Sequence, residues 1–410
     1  MENLLQLSTA HFTKGGYIII EGEQNADCFY IVKQGQVGVF KEAEVTEEKD
    51  KTLGPGDYFG VISTMSSHSH IETAMALTDV DLIMVHREQY GLFIRKHTQA
   101  AMKIITQFSK QLRYLNETLA GIALKKTTET GGLDHLFEAA EYYLCQKQYD
   151  KARYIYTRFL KHCPRGKLAD IVKGRIEKLN SYVTEVVNET EFSPDDVNRV
   201  YPAESMFFIE GEPGNELFVI QKGSVKITKV ANENEILLAV LKTGDIFGEM
   251  ALLENKPRAA TAVAYEECKV MVVSRTNFEQ MIQTQTQLIS KVTSYLADRI
   301  WLIYKQLANT LITNPVGRMY DSLLIQLEKN RVLLESPNPY TFSFGQWELV
   351  NMVGLPRGEA GPVLRDLLKN TKIQVIDNKI HTSSVQEIVR QTEYYRKMDR
   401  IGKPRPQGKS

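Results

Sequence analysis

GGYIIIEGEQNADCFYIVKQGQVGVFK (15–41) and AESMFFIEGEPGNELFVIQKGSVKITK (203–229) are two copies of one plan. Each is continued by a second block, LGPGDYFG (53–60) and LKTGDIFG (241–248), so the copies lie about 188 residues apart. Glu-Gly-Glu recurs at 21–23 and 210–212, and Gly35 and Val37 match Gly223 and Val225. Gly56, Asp57, Phe59 and Gly60 match Gly244, Asp245, Phe247 and Gly248. Short runs of Ile, Val, Phe and Tyr bounded by Gly and Asp read as strands joined by tight turns. Several in succession predict a small antiparallel barrel or sandwich. Turn geometry alone accounts for most of these glycines, so they establish a fold and not an activity.

Each β segment is followed by a helical one, which makes the chain α+β. Ala101, Ile105, Phe108, Leu112, Leu115 and Leu119 form a heptad stripe suited to a helix seam. Val292, Leu296, Ile300, Ile303, Leu307 and Leu311 form a looser one. Either stripe could pack on its own barrel or join two copies of the chain, and a homodimer through the second is the expectation. KKTTETGG (125–132) reads as a linker. After it, Ala140, Tyr143, Ala152, Tyr156, Phe159 and Pro164 sit at the offsets of one tetratricopeptide repeat, which the stretch resembles. That implies a helical hairpin spacer, with a protein partner at 134–180 as the alternative role.

Of the 410 residues, 43% are hydrophobic and 24% charged, with Lys+Arg and Asp+Glu both at 50. A net charge of zero supplies no global field toward nucleic acid or membrane. No apolar run approaches the roughly 18 residues that span a bilayer. MENLLQLSTAHF lacks the basic and apolar regions of a secretion signal. The four cysteines form no CxxC pair or zinc-spaced set. A reduced, cytoplasmic protein without metal is expected. No GxSxG, Walker loop, HExxH or kinase signature is present, so catalysis is not expected.

The chemistry lies in FGEMALLENKPRAAT (247–261). Gly248 lets the backbone turn closely after Phe247. Glu249 to Leu253 are good helix formers, so a short helix begins there with unpaired N–H groups that favour an anion. Arg258, nine residues after Glu249, adds a fixed cationic fork suited to phosphate. Glu249 beside a phosphate is repulsive unless it accepts a hydrogen bond from a hydroxyl, as from a ribose. Phosphate beside a sugar hydroxyl marks a cyclic nucleotide. The stretch resembles the phosphate-binding cassette of cyclic-nucleotide-binding domains. The resemblance implies that Glu249 holds the ribose and Arg258 the phosphate, while the backbone around Gly248, Met250, Ala251, Ala259, Ala260 and Thr261 completes the cage. It also implies that Ala259 favours cAMP over cGMP. Trp301 or Tyr304, on the helix that follows, is expected to stack on the base.

The first copy departs from the pattern. Val61 stands in the place of Glu249 and His70 in that of Arg258, so residues 1–124 are expected to be a structural copy. FSFGQWELVNMVGLPRGEAGPVLRDLLKN followed by KIQVIDNKIHT (342–382) reads as helix, turn at Gly354, helix and a two-stranded wing. With the second barrel and its long helix, residues 192–385 are similar in order to the Crp–Fnr family of transcription regulators. Arg357, Glu359 and Arg365 are the candidate DNA-contacting residues. Gly358 and Pro362 stand where that family commonly presents Glu and Arg, and two glycines with a proline are poor for a helix. Residues 314–381 carry eight Lys and Arg against seven Asp and Glu, which gives no strong phosphate patch.

The expected organisation is therefore a degenerate cyclic-nucleotide-binding barrel of jelly-roll type with its helix (1–124) and a spacer (125–190). A binding barrel with its long helix (191–312), a winged helix-turn-helix (313–385) and a solvated basic tail (386–410) follow. The expected function is a cAMP- or cGMP-sensing transcription regulator. The alternative is a cAMP-gated protein scaffold that binds no DNA.

Overall fold

The computed structural model describes residues 7–41, 51–124, 133–182, 192, 193, 196–231, 234–355 and 357–402. The expected linker at 125–132 lies outside them. The first copy contains β1 (Ser8–Phe12), β2 (Tyr17–Ile19), β3 (Cys28–Gln34), β4 (Val37–Phe40), β5 (Lys51–Leu53), β6 (Tyr58–Phe59), β7 (Thr73–Ala76) and β8 (Val80–His86). The second contains β9 (Asn198–Tyr201), β10 (Met206–Phe208), β11 (Glu216–Lys222), β12 (Val225–Ala231), β13 (Asn234–Leu241), β14 (Ile246–Phe247), β15 (Thr261–Ala264) and β16 (Cys268–Ser274). The two copies share one topology. Their sheets run β1-β8-β3-β6 with β2-β7-β4-β5, and β9-β16-β11-β14 with β10-β15-β12-β13. All pairs are antiparallel. The inward faces close on Val32, Val37, Ala74 and Leu82 in one barrel, and on Phe207, Phe218, Phe247 and Val270 in the other.

Between β6 and β7 lies α1 (Val61–Ser66), and between β14 and β15 lies α7 (Glu249–Glu254). Both start on a left-handed glycine, Gly60 at φ 78° and Gly248 at φ 77°. Both end on a left-handed residue at φ 56°, Ser67 and Asn255. The backbone of the cassette is thus kept in both copies, although only one keeps its charged residues.

The other helices are α2 (Tyr90–Lys96), α3 (Thr98–Leu124), α4 (Leu133–Cys145), α5 (Tyr149–His162), α6 (Lys167–Leu179), α8 (Arg275–Thr284) and α9 (Thr286–Thr310). α10 (Pro315–Lys329), α11 (Gln346–Met352), α12 (Arg357–Leu368) and α13 (Val385–Gly402) complete them. The chain forms two compact units, Met1–Glu88 with Ala297–Ser410, and Gln89–Leu296. In the latter, α3 of the first repeat packs against the cassette helix α7 of the second barrel. In the former, the C-terminal half of α9 packs against the first barrel. Five residues of each apolar stripe are buried: Ala101, Ile105, Phe108, Leu112 and Leu115, and Val292, Leu296, Ile300, Ile303 and Leu307. Leu311 lies beyond α9 and is exposed, so the second stripe ends one residue short of the reading above.

Two expectations are corrected at the C-terminal end. Residues 386–402 are not a solvated tail but most of α13, which packs on α10. Val385, Ile388 and Thr392 recur at helical spacing and are buried, and the intervening basic residues hid them. Arg396 pairs with Asp321 of α10. Second, α12 forms despite Gly358, Gly361 and Pro362, because Ala360, Leu364 and Leu367 are buried in the local core. Strand β17 (Tyr340–Thr341) pairs with β19 (Lys379–Thr382), which pairs with β18 (Ile373–Ile376). Asp377 and Asn378, both left-handed, join the β18–β19 hairpin.

Glu387 of α13 is nearly buried. Burial alone would raise its pKa, but hydrogen bonds from Arg390, Gln391 and Asn370 outweigh it and hold the pKa at about 2. A depressed carboxylate contributes stability that is present above the ordinary value near 4.5 and is lost as pH falls through about 2. Acid titration followed by circular dichroism should show Glu387→Gln blunting the loss of stability over that window.

Candidate functional site

The second cassette gathers around a buried cation. Arg258 is 6% exposed, with its guanidinium 4.1 Å from the ring centroid of Phe208. Nη1 donates to the carbonyls of Glu216 (2.8 Å) and Gly248 (2.7 Å), and Nε has no hydrogen-bond partner. Burial pushes the Arg258 pKa down to about 10 against the pull of Glu212, Glu216 and Glu249. A guanidinium carries its charge regardless, so the shift reflects how far burial withdraws this cation from water.

Two glycines make room for this arginine. A Cβ on Gly248 would stand 2.6 Å from Arg258 Nη1 and one on Gly214 would stand 2.2 Å from Nε. Arg258 N donates to Glu212 O and Gly211 N donates to Arg258 O, tying the arginine to the Glu-Gly-Glu turn. Glu249, 1% exposed, opens α7, followed by buried Met250 and Ala251. Ala259 and Ala260 are half-buried, and Thr261 accepts a hydrogen bond from Glu210 N. Phe247 packs on Phe218 from the core side at 5.0 Å. The structure therefore gathers Phe247, Gly248, Glu249, Met250, Ala251, Arg258, Ala259, Ala260 and Thr261 along one turn and its flanking strands.

The chain matches the cyclic nucleotide-binding domain family at residues 9–97 and again at 198–285. The cAMP-activated global transcriptional regulator CRP of Pasteurella multocida is 30% identical over 169 residues, 41% of this chain and 80% of that protein. The chain belongs to the Crp–Fnr type of cyclic nucleotide-binding regulators. The regulator of the same name from Salmonella typhimurium is 29% identical over the same length and shares. A CRP-like regulator of Mycobacterium tuberculosis is 25% identical over 191 residues, 46% of this chain and 85% of that protein.

This Crp–Fnr-type chain differs between its copies where the sequence differs. In the first, His70 takes the arginine's place and is buried and neutral, because burial lowers its pKa. The backbone tie survives, with His70 N donating to Glu23 O and Gly22 N to His70 O. Trp301 and Tyr304 require a correction. Both rings are taken up by the first barrel rather than lying ready for a base. Trp301 stacks on His68 at 4.2 Å and donates Nε1–H to Ser69 O at 3.1 Å. Tyr304 donates its hydroxyl to Glu21. Ser69 Oγ donates to Glu328 at the end of α10, and Arg331, just after α10, donates to Ser66 O.

The sequence reading missed how α4 and α5 hold the second barrel. Leu136, Tyr143, Tyr154 and Tyr156 share one core with Met206, Ile209 and Val263. Tyr143 donates to Glu235, and Arg158 and His162 stand 3.4 and 3.9 Å from Glu212. Glu210 lies 2.7 Å from Lys229 and 3.1 Å from His135. Nothing in the hairpin marks these polar residues as partners of the Glu-Gly-Glu turn. On α12, Glu359 and Arg365 are exposed, and the side chain of Arg357 lies outside the described residues. Among the described residues no cluster could hold a metal ion, and no helix is long and apolar enough to cross a membrane.

Proposed function

We propose that the chain is a cAMP-sensing transcription regulator that takes one cyclic nucleotide in residues 191–312 and contacts DNA through residues 313–385. The observation that carries this is Arg258: a buried guanidinium with an unpartnered Nε–H, beside Glu249 at the glycine-opened start of a helix. Phosphate would accept from the unpartnered Nε–H and a ribose hydroxyl would donate to Glu249. Ala259 supports cAMP as the nucleotide, and so do the names of the relatives. The first barrel, with Val61 and His70 in these places, serves as a structural copy. The four free cysteines suit a reduced, cytoplasmic setting.

A second reading, a cAMP-gated protein scaffold, draws on α12, where Glu359 and Asp366 are exposed beside Arg365 and weaken attraction to phosphate. Two measurements on the full chain separate the readings. Thermal unfolding should shift upward with cAMP, since a ligand at a hundred times its Kd adds about 2.7 kcal/mol of stability. A gel shift with genomic fragments should then appear only with cAMP. Stabilisation without any shifted fragment supports the scaffold, and no stabilisation by any cyclic nucleotide rejects both.

A further inference from the structure

Helix α3 belongs to the first repeat in sequence but packs on the cassette of the second. Ser109 Oγ donates to Glu254 Oε1 at 2.9 Å, and Arg113 Nε donates to Glu254 Oε2 at 3.0 Å. Arg113 Nη1 and Nη2 both donate to Pro257 O at 3.3 Å. Glu254 ends α7 and its side chain is 1% exposed. Pro257 O belongs to the peptide bond that precedes Arg258. One guanidinium thus spans the turn between the end of the cassette helix and the phosphate arginine. That turn runs through exposed Asn255, Lys256 and Pro257, with Asn255 left-handed at φ 56°.

A second observation is independent of the first. At the repeat offset of 188 residues, Arg113 corresponds to Trp301 and Pro257 to Ser69. Trp301 Nε1 donates to Ser69 O. In both units, then, the same helix position of one repeat addresses the same carbonyl of the other repeat's cassette. Where the cassette has lost its charged pair, the contact is a buried aromatic ring. Where the pair is kept, it is a charged fork.

Building on the site reading above, we propose that Arg113 is a positioning residue for cyclic-nucleotide binding in the second barrel: it holds the 254–258 turn so that Arg258 meets the phosphate. The helix of the first repeat then sets the affinity of the second, which gives the non-binding copy a role in the binding site.

The test is calorimetry with cAMP on the full chain and its variants, together with nucleotide-free melting and the dissociation rate. Arg113→Ala should weaken binding by roughly tenfold or more, as expected for lost charged hydrogen bonds, chiefly through faster dissociation. Arg113→Ala leaves the buried Glu254 carboxylate without its cation and should lower the nucleotide-free melting temperature, whereas Arg113→Lys and Glu254→Gln leave no such charge and should melt within a few degrees of the parent. Arg113→Lys keeps a charge near Glu254 but not the fork to Pro257 O, and should recover only part of the affinity. Glu254→Gln should also weaken binding. Arg113→Ala within about twofold of a parent that binds would overturn the proposal. So would a loss of affinity confined to Arg113→Ala that merely tracks the drop in its nucleotide-free melting temperature. If Arg113→Ala does not fold, parental affinity in both Arg113→Lys and Glu254→Gln overturns it. A parent chain that binds no cyclic nucleotide rejects the site reading itself, and this proposal with it.

Discussion

Replacing Arg258 with alanine should weaken cAMP binding by about 2–4 kcal/mol, on the order of thirty- to a thousand-fold. The residue is buried, and its Nη1 already serves two carbonyls, Glu216 and Gly248. Some of the loss will therefore appear as a looser cassette in the nucleotide-free chain. Arg258→Lys separates the two effects. It keeps a cation in the pocket but cannot satisfy two carbonyls and a phosphate with one planar fork, so it should fold better than alanine while binding only weakly. Glu249→Gln should cost less than either, because an amide oxygen still accepts a hydrogen bond from a sugar hydroxyl without the charge assistance. Calorimetry on the three variants gives the order: parent, Glu249→Gln, Arg258→Lys, Arg258→Ala. A parental Kd for Arg258→Ala would remove the basis for reading the second cassette as a receptor.

The second large effect is on stability. Trp301 is 1% exposed, packed on His68 with its N–H on Ser69 O. Trp301→Ala opens a cavity and should destabilise the unit that contains the first barrel by about 3–5 kcal/mol. Trp301→Phe keeps most of the ring and loses one buried hydrogen bond, for about 1–3 kcal/mol. Urea unfolding followed by circular dichroism measures both. The parent's fluorescence carries a further check. Trp301 should emit as a buried indole, whereas Trp347, the other tryptophan, is 44% exposed. If Trp301 were instead free to stack on a bound base, Trp301→Ala would leave unfolding within about 1 kcal/mol of the parent.

Much of this fold could be read from glycines. Gly60 and Gly248 must adopt a left-handed conformation to start α1 and α7, and that requirement prints the same signal in both repeats. The contrast between the copies was equally legible, because Glu249 and Arg258 of the second cassette stand against Val61 and His70 of the first. The helix partners could not be read. An apolar stripe such as Ala101 to Leu115 specifies that a face is buried but not which barrel covers it. Sequence order alone places α9 beside its own barrel, whereas Trp301 and Tyr304 pack against the first. The contact of Arg113 with Pro257 O was hidden for the same reason: the partners are 144 residues apart and one of them is a backbone carbonyl. At the C-terminal end, burial of Ala360, Leu364 and Leu367 outweighs the low helix propensity around Pro362. In α13 the apolar positions are too few among basic residues to stand out by composition.

The recurrence of one contact at matched positions also changes how the first repeat should be regarded. It lacks the Glu and Arg of the second cassette, yet its helix α3 touches the cassette of the copy that keeps them. Its own cassette loop, from Ser66 to His70, is covered by Trp301 and bonded by Glu328 and Arg331. This loop serves as a packing surface for the helices that follow the second barrel.

The most direct test is a calorimetric titration of cAMP into the full chain. One saturable site per chain, lost in Arg258→Ala and retained in His70→Ala, is the predicted result. Two equal sites, or no heat of binding at millimolar nucleotide, would contradict it.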